Sequence, residues 1–167
     1  INEIPAITGT TVSDDNLSIN VTFSEAVFST NGGSGALETS DFALSINGGT
    51  ASLSSSTPSS ISINGNTYNL GIAISGSING SETVTVVPIQ NSIYDSDAAI
   101  ASTNQSSNSV SLHGDSDSDG VNDALDQCPN TPNGASVDSD GCAESQKDPD
   151  NDGITGVNDN CPNTANP

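Results

Sequence analysis

The sequence contains no arginine and no tryptophan, and it has a single lysine, Lys147, and a single histidine, His113. With a net charge of -20 and almost no cationic side chains, the chain cannot neutralise phosphates, which excludes nucleic acid as a partner. The same shortage leaves nothing to draw it to an anionic membrane surface. No apolar run approaches the length of a membrane span, and the opening Ile1-Asn2-Glu3 carries no signal-peptide pattern. Aromatics are scarce: Phe23, Phe28, Phe42, Tyr68 and Tyr94 sit mostly at positions that alternation assigns to a core. The stacking platform on which many secreted modules grip sugars is therefore missing. Catalysis lacks its parts as well. Serines are abundant without a Gly-x-Ser-x-Gly elbow, and His113 lies at a compositional seam, where it reads as a solvated linker residue. Glycoside hydrolysis needs two carboxylates facing across a cleft, whereas Asp14, Asp15, Glu25, Asp41, Asp95 and Asp97 fall in or near turns. The chain reads as non-catalytic.

What is present divides at that seam. Residues 1–113 carry nine acidic groups and no base; residues 114–167 carry twelve acidic groups and Lys147. In the second part only Val121, Leu125, Val137, Ile154 and Val157 are sizeable apolar side chains, too few to bury a core. Ordering its backbone costs on the order of 1–2 kcal/mol per residue, with no hydrophobic counterweight. Bound metal would supply the missing term, because an ion that binds only the folded form contributes its binding energy to folding. Two domains follow, 1–113 and 114–167.

In the first part, apolar and polar residues alternate over Leu17, Ile19, Val21 and Phe23, over Phe42, Leu44 and Ile46, and over Tyr68, Leu70, Ile72 and Ile74. Period two indicates half-buried strands. Ile61 and Ile63 lead into Asn64-Gly65, a type I′ hairpin signal, and Asn47-Gly48 and Asn79-Gly80 punctuate the other runs. Val84 and Val86, then Val110 and Leu112, give the last strands, and Asn31 to Gly35 reads as a flexible loop. About seven short strands at this spacing imply an antiparallel sandwich.

The second part is organised by its carboxylates. From Asp115, acids stand at positions 1, 3, 5, 9 and 12 (Asp115, Asp117, Asp119, Asp123, Asp126), with Gly120 at 6 and Val121 offering a carbonyl at 7. Calcium takes about 6–8 oxygen ligands, and alternate side chains converge on it when the chain curls at a glycine. The run repeats 33 residues later as Asp148, Asp150, Asp152, Gly153, Ile154 and Asp159, with Gly156 replacing the acid at position 9. No amphipathic helix flanks either loop and Asp126 stands where an EF-hand has glutamate, so an EF-hand is a poor fit. Glu25 and Asp41 at loop ends, with Asp95 and Asp97 in one loop, form a further candidate set. Three cysteines and one histidine suggest zinc only superficially, since no close Cys-x-x-Cys pair exists and the surroundings are rich in oxygen.

The run Asp-x-Asp-x-Asp-Gly-x-x-Asp-x-x-Asp-x-Cys-Pro from Asp115 to Pro129, and its second copy through Cys161-Pro162, resembles thrombospondin type 3 repeats of bacterial surface proteins. The resemblance implies Ca²⁺ ligation by Asp115, Asp117, Asp119, Asp126, Asp148, Asp150, Asp152 and Asp159, carbonyl ligation by Val121 and Ile154, and a direct or water-bridged role for Asp123. It adds Asp138 and Asp140 as ligands from the returning chain, and it implies a disulfide between Cys128 and Cys142, with the partner of Cys161 lying beyond Pro167. A disulfide in turn implies an oxidising, extracellular or cell-surface setting. Together with the unadorned start and the final Asn166-Pro167, this reads as a piece of a mature exported protein. In the first part, Pro5-Ala6-Ile7, the run from Val21 to Val27, Asp41-Phe42 and Ile93-Tyr94-Asp95 resemble bacterial immunoglobulin-like domains. The resemblance implies an immunoglobulin-like sandwich that spaces, stacks or adheres. Expected partners are calcium ions, neighbouring domains and a surface protein or polysaccharide. An accessory module of a secreted polysaccharide-degrading enzyme is the alternative, and a calcium-mediated sugar site needs no aromatic platform.

Overall fold

The computed structural model describes residues 3–165, with Val157 described by its backbone alone. The expectations resting on Ile1, Asn2, Asn166, Pro167 and the Val157 side chain lie outside the described residues. The chain divides into two compact units, Ile1–Leu112 and His113–Pro167, one residue before the boundary read from charge.

Among its described residues the first unit has nine short strands: β1 (Ile7–Val12), β2 (Ser18–Phe23), β3 (Phe42–Asn47), β4 (Ser52–Leu53), β5 (Ile61–Asn64), β6 (Thr67–Gly71), β7 (Ile74–Ser75), β8 (Thr83–Pro88) and β9 (Ser109–Ser111). Every pairing is antiparallel. They form sheets of four (β1-β2-β6-β5), three (β3-β8-β9) and two strands (β4-β7).

Alternation explains the layers. On β2, Ile19, Val21 and Phe23 are buried while Ser18, Asn20 and Thr22 face outward, and the register sets Ile19 against Leu70 and Val21 against Tyr68. On the second sheet Leu44 opposes Val86 and Ile46 opposes Val84. The rings of Phe23, Phe42 and Tyr68 meet at centroid distances of 5.7 to 6.4 Å, so both large sheets contribute to one apolar core. Full burial of each such side chain stabilises by about 1.5–3 kcal/mol.

Three details depart from the sequence reading. Leu17 precedes β2 and is 63% exposed, because the turn at Ser13–Asn16 delays the strand by one residue. The β5–β6 turn centres on Gly65-Asn66, since Asn64 already pairs with Thr67. Gly65 has φ +60° and Asn66 is not among the positive-φ residues, a pattern that fits a type II′ turn rather than type I′. The run from Tyr68 to Ile74 is split: β6 ends at Gly71, Ile72 is buried beyond it, and Ile74 opens β7. The stretch from Asn31 to Gly35 is closed by Thr30 N–H donating to Ser34 O and Ser29 N–H to Gly35 O.

Two acidic side chains, Glu82 and Asp95, lie fully inside this unit. Glu82 is 0% exposed; its Oε1 accepts from the amides of Thr50 (3.1 Å) and Ala51 (3.4 Å), and its Oε2 from that of Asn79 (3.0 Å). Burial pushes the carboxyl up, but these backbone donors together outweigh it and hold the group below the ordinary glutamate value.

The second unit has almost no regular structure. Among its described residues the elements are single 3₁₀ turns at Glu144–Gln146 and Gly156–Asn158 and an isolated bridge between Val137 and Ala143. Among the described residues Ala143 is its only buried apolar side chain. No helix among the described residues is long and apolar enough to cross a membrane.

Candidate metal centres

Each acidic loop is held by its own backbone. In the first, Asp115 Oδ1 accepts from Ser118 N–H (2.8 Å) and Oδ2 from Gly120 N–H (3.0 Å), drawing positions 1 and 6 together. Asp119 Oδ1 accepts from Val121 N–H and Asp126 Oδ1 from Cys128 N–H, both at 2.8 Å. The second loop repeats this layout: Asp148 Oδ2 accepts from Gly153 N–H (2.9 Å), Asp152 Oδ1 from Ile154 N–H (2.8 Å) and Asp159 Oδ1 from Cys161 N–H (2.7 Å). Position 4 is left-handed in both, at Ser118 (φ 63°) and Asn151 (φ 58°).

The result is two triads, Asp115/Asp117/Asp119 and Asp148/Asp150/Asp152, each with carboxylate oxygens within 4.8 Å of one another. The hydrogen bonds above use one oxygen of several acids and leave the other without a donor. Asp117 Oδ1, Asp119 Oδ2, both oxygens of Asp150 and Asp159 Oδ2 are buried with no hydrogen-bond partner. An unsatisfied buried acceptor costs about 1–3 kcal/mol, and more when charged. Burial pushes the Asp150 carboxyl up, and repulsion from Asp152 and Asp159 adds to it. Hard, anionic, donorless oxygens in converging sets are what a divalent oxygen-seeking cation requires, so the residues fit calcium.

The returning chain shapes the first centre. Gly141 is buried with φ +78°, and a Cβ there would overlap the Asp126 carboxylate and lie 3.3 Å from Asp119 Oδ2. A glycine is therefore required for Asp119 and Asp126 to approach each other past it. Thr131 N–H donates to Asp117 Oδ2 (2.6 Å), which aims Asp117 Oδ1 away from that donor. Buried Thr131 also donates to Gly141 O, and Gln146 Nε2 donates to Cys128 O (3.1 Å). Cys128 and Cys142 form a disulfide with their Cα atoms 5.0 Å apart, which removes two cysteines from any zinc site. Cys161 is an exposed free cysteine. The sequence reading missed Thr131 and Gln146. Thr131 is signalled only by the Cys-Pro-Asn-Thr run, which recurs at Cys161 to Thr164, and Gln146 lies outside that run.

Other expected ligands stand elsewhere. Asp123 gives both oxygens to Ser116, one to its N–H and one to its hydroxyl, each at 2.8 Å. Those bonds, the hydroxyl first, hold its carboxyl below the usual range. Asp138 Oδ1 accepts from Asp140 N–H and Cys142 N–H, and its Oδ2 pairs with Lys147 Nζ at 3.1 Å. Asp138 and Asp140 are thus outside both triads, as are Asp123, Asp126 and Asp159. The amides of Val121 and Ile154 are tied to Asp119 and Asp152.

The set in the first unit does not come together as read. Asp41 Oδ2 accepts from Glu38 N–H (2.8 Å) and closes a 3₁₀ turn, Thr39–Asp41. Asp95 is buried, with Oδ1 accepting from the amides of Asp97 and Ala99. Glu25 is the member near Asp95 and Asp97; desolvation, then repulsion from Asp95, Glu3 and Asp97, pushes its carboxyl up.

Two curated alpha-agarases, from Thalassotalea agarivorans and Alteromonas agarilytica, are each 62% identical to this chain, over 32 and 29 residues. These matches cover 19% and 17% of the chain, which spans 2% of the length of either agarase. Among solved structures, the N-terminal part of the bacterial S-layer protein SbsC aligns with a TM-score of 0.47 and 19% identity, over 66% of this chain and 24% of that one. Residues 113–136 and 138–167 match the family model of the thrombospondin type 3 repeat, and these two spans contain both acidic triads and the disulfide.

Proposed function

We propose that this chain is a non-catalytic, extracellular, calcium-stabilised module: an immunoglobulin-like sandwich followed by a repeat segment whose folded form is completed by calcium. The observation that carries this reading is the set of five buried carboxylate oxygens without a donor, distributed over two loops of the same hydrogen-bond layout. Bound Ca²⁺ would neutralise these groups and supply the partner that the protein does not. Asp117, Asp119, Asp126 and Asp115 would hold one ion, with Asp148, Asp150, Asp152 and Asp159 holding another and the Val121 and Ile154 carbonyls completing the sets. The protein's own residues do the positioning: the amides of Gly120 and Gly153 fix the first aspartate, and those of Cys128 and Cys161 fix the last. Stiffness and protease resistance of the segment would then follow extracellular calcium, as suits a spacer or adhesion element of a larger surface protein.

The similarity to two alpha-agarases favours a second reading, an accessory module in a secreted polysaccharide-degrading enzyme. Both readings share the calcium-dependent segment. Titration calorimetry on chelator-treated protein tests that shared part. Two or more ions are expected for the wild type, with a site lost in each of Asp119→Ala and Asp152→Ala. No heat at millimolar calcium would remove every ligand assignment.

A further inference from the structure

We infer that the outer face of the four-stranded sheet is a binding platform for a neutral polysaccharide chain. It deepens the second reading above, and it stands on the first unit alone. The registers place side chains in two ranks across the sheet: Thr11, Asn20, Asn69 and Ser62 form one, and Thr22, Thr67 and Asn64 form the next. Strands about 4.8 Å apart, with outward residues about 6.8 Å apart along each, make this a regular grid of hydroxyls and amides. These residues line a shallow groove of about 390 Å³, within the range of about 300–1,000 Å³ typical of small-molecule sites.

Charge selects the ligand. The chain carries 21 acidic residues, yet no charged side chain lines this groove. No ligand charge of either sign finds a counter-charge among the lining side chains, and an anionic ligand is in addition repelled by the field of a -20 protein. A ligand that is neutral and dense in hydroxyls suits it, because every lining side chain but that of Ile63 offers a hydroxyl or an amide. Part of the grid is fixed in advance. Asn69 Nδ2 donates to Ser18 Oγ and to Asn20 Oδ1, both at 2.9 Å, which sets both amide planes and keeps Asn20 Nδ2 as a donor and Asn69 Oδ1 as an acceptor for a ligand. Thr22 and Thr67 hydroxyls lie 3.0 Å apart and hydrogen-bond each other, which fixes both side chains in the grid. A preset donor and acceptor side by side match the vicinal hydroxyls of a sugar ring, and ordering them beforehand lowers the cost of binding.

The test is affinity electrophoresis of the full chain in millimolar calcium, through gels containing soluble agarose, hydroxyethyl cellulose or a sulfated galactan. Retardation by a neutral polysaccharide and none by the sulfated one is expected. Asn20→Ala and the edge-strand variant Ser62→Asp should each weaken it roughly tenfold, the scale of one lost hydrogen bond or one introduced charge. Unchanged tyrosine circular dichroism would show that both variants fold. Absence of retardation by either neutral polysaccharide, binding to the sulfated galactan alone, or full binding by both variants would each overturn the proposal. The accessory-module reading is tested separately, by joining the chain to an agar-degrading enzyme and measuring turnover on solid agarose. A gain there without binding at this face would overturn the present proposal alone.

Discussion

Glu82 in the first unit and Asp150 in the second both hold carboxylate oxygens away from water, and they reach opposite solutions. Glu82 in the first unit is surrounded by amides from two loops and is held in its charged form. Asp150 in the second is half-buried, its two carboxylate oxygens are shielded from water beside Asp152 and Asp159 without a well-formed hydrogen bond, and desolvation followed by repulsion from those two acids makes it hold its proton more tightly. The contrast runs through the whole molecule. Every buried apolar residue among those described, except Ala143, belongs to the first unit, which closes on itself by removing apolar surface from water. The second has carboxylates where a core would be. One unit holds a closed apolar core; the other gathers acidic side chains into two triads whose oxygens could hold a metal ion.

The sharpest way to separate them is chelation. Excess chelator should abolish amide protection throughout residues 113–167 and leave the first unit unchanged. Hydrogen exchange followed by mass spectrometry reads both at once, and a protection profile in the second unit that ignores chelation would break the comparison. Next in size, Phe23→Ala should cost about 3–5 kcal/mol in the first unit, because it empties the place where three rings meet. It should leave calcium stoichiometry intact. All five aromatics lie in the first unit, so tyrosine circular dichroism follows that unit selectively. Replacing Cys128 and Cys142 by serine should act in the reverse sense. Opening a loop of sequence separation 14 costs about 3 kcal/mol in the chain-entropy model, felt as weaker calcium binding with no change in the tyrosine signal.

The smallest effect concerns Glu82. Because its folded value lies below its unfolded one, it contributes stability above the ordinary glutamate range near pH 4.5. That contribution fades as pH falls through the depressed folded value. Glu82→Gln should therefore lower the melting temperature of the first unit at neutral pH and flatten its decline in acid. Parallel acid titrations of wild type and variant would show this, and coincident curves would count against it.

Patterns that repeat over a few residues were legible in the sequence. Period two located most strands, and the spacing of Asp115, Asp117, Asp119 and Gly120 located the loops. Interactions that depend on which donor happens to be nearby were not. Asp123 is marked by its spacing and Asp138 by the resemblance alone, and neither signal shows that Ser116 donates to the first or that Lys147 pairs with the second. Thr131 gives no periodic signal because its amide reaches Asp117 across 14 positions, and Glu82 looks like a surface acid because its donors come from residues 50, 51 and 79. The turn at Gly65-Asn66 differs from its expected place by one residue, since a dipeptide signal does not fix strand register.

The Cys128–Cys142 bridge also sets a contour length. Stripped of metal and pulled taut, the 55 residues from His113 to Pro167 would reach about 190 Å at about 3.4 Å per residue. The bridge replaces a sequence separation of 14 by a Cα–Cα step of 5.0 Å, which shortens that reach by about 40 Å. Even a metal-free segment would thus be a tether of bounded travel, and a reducing environment would pay out the rest.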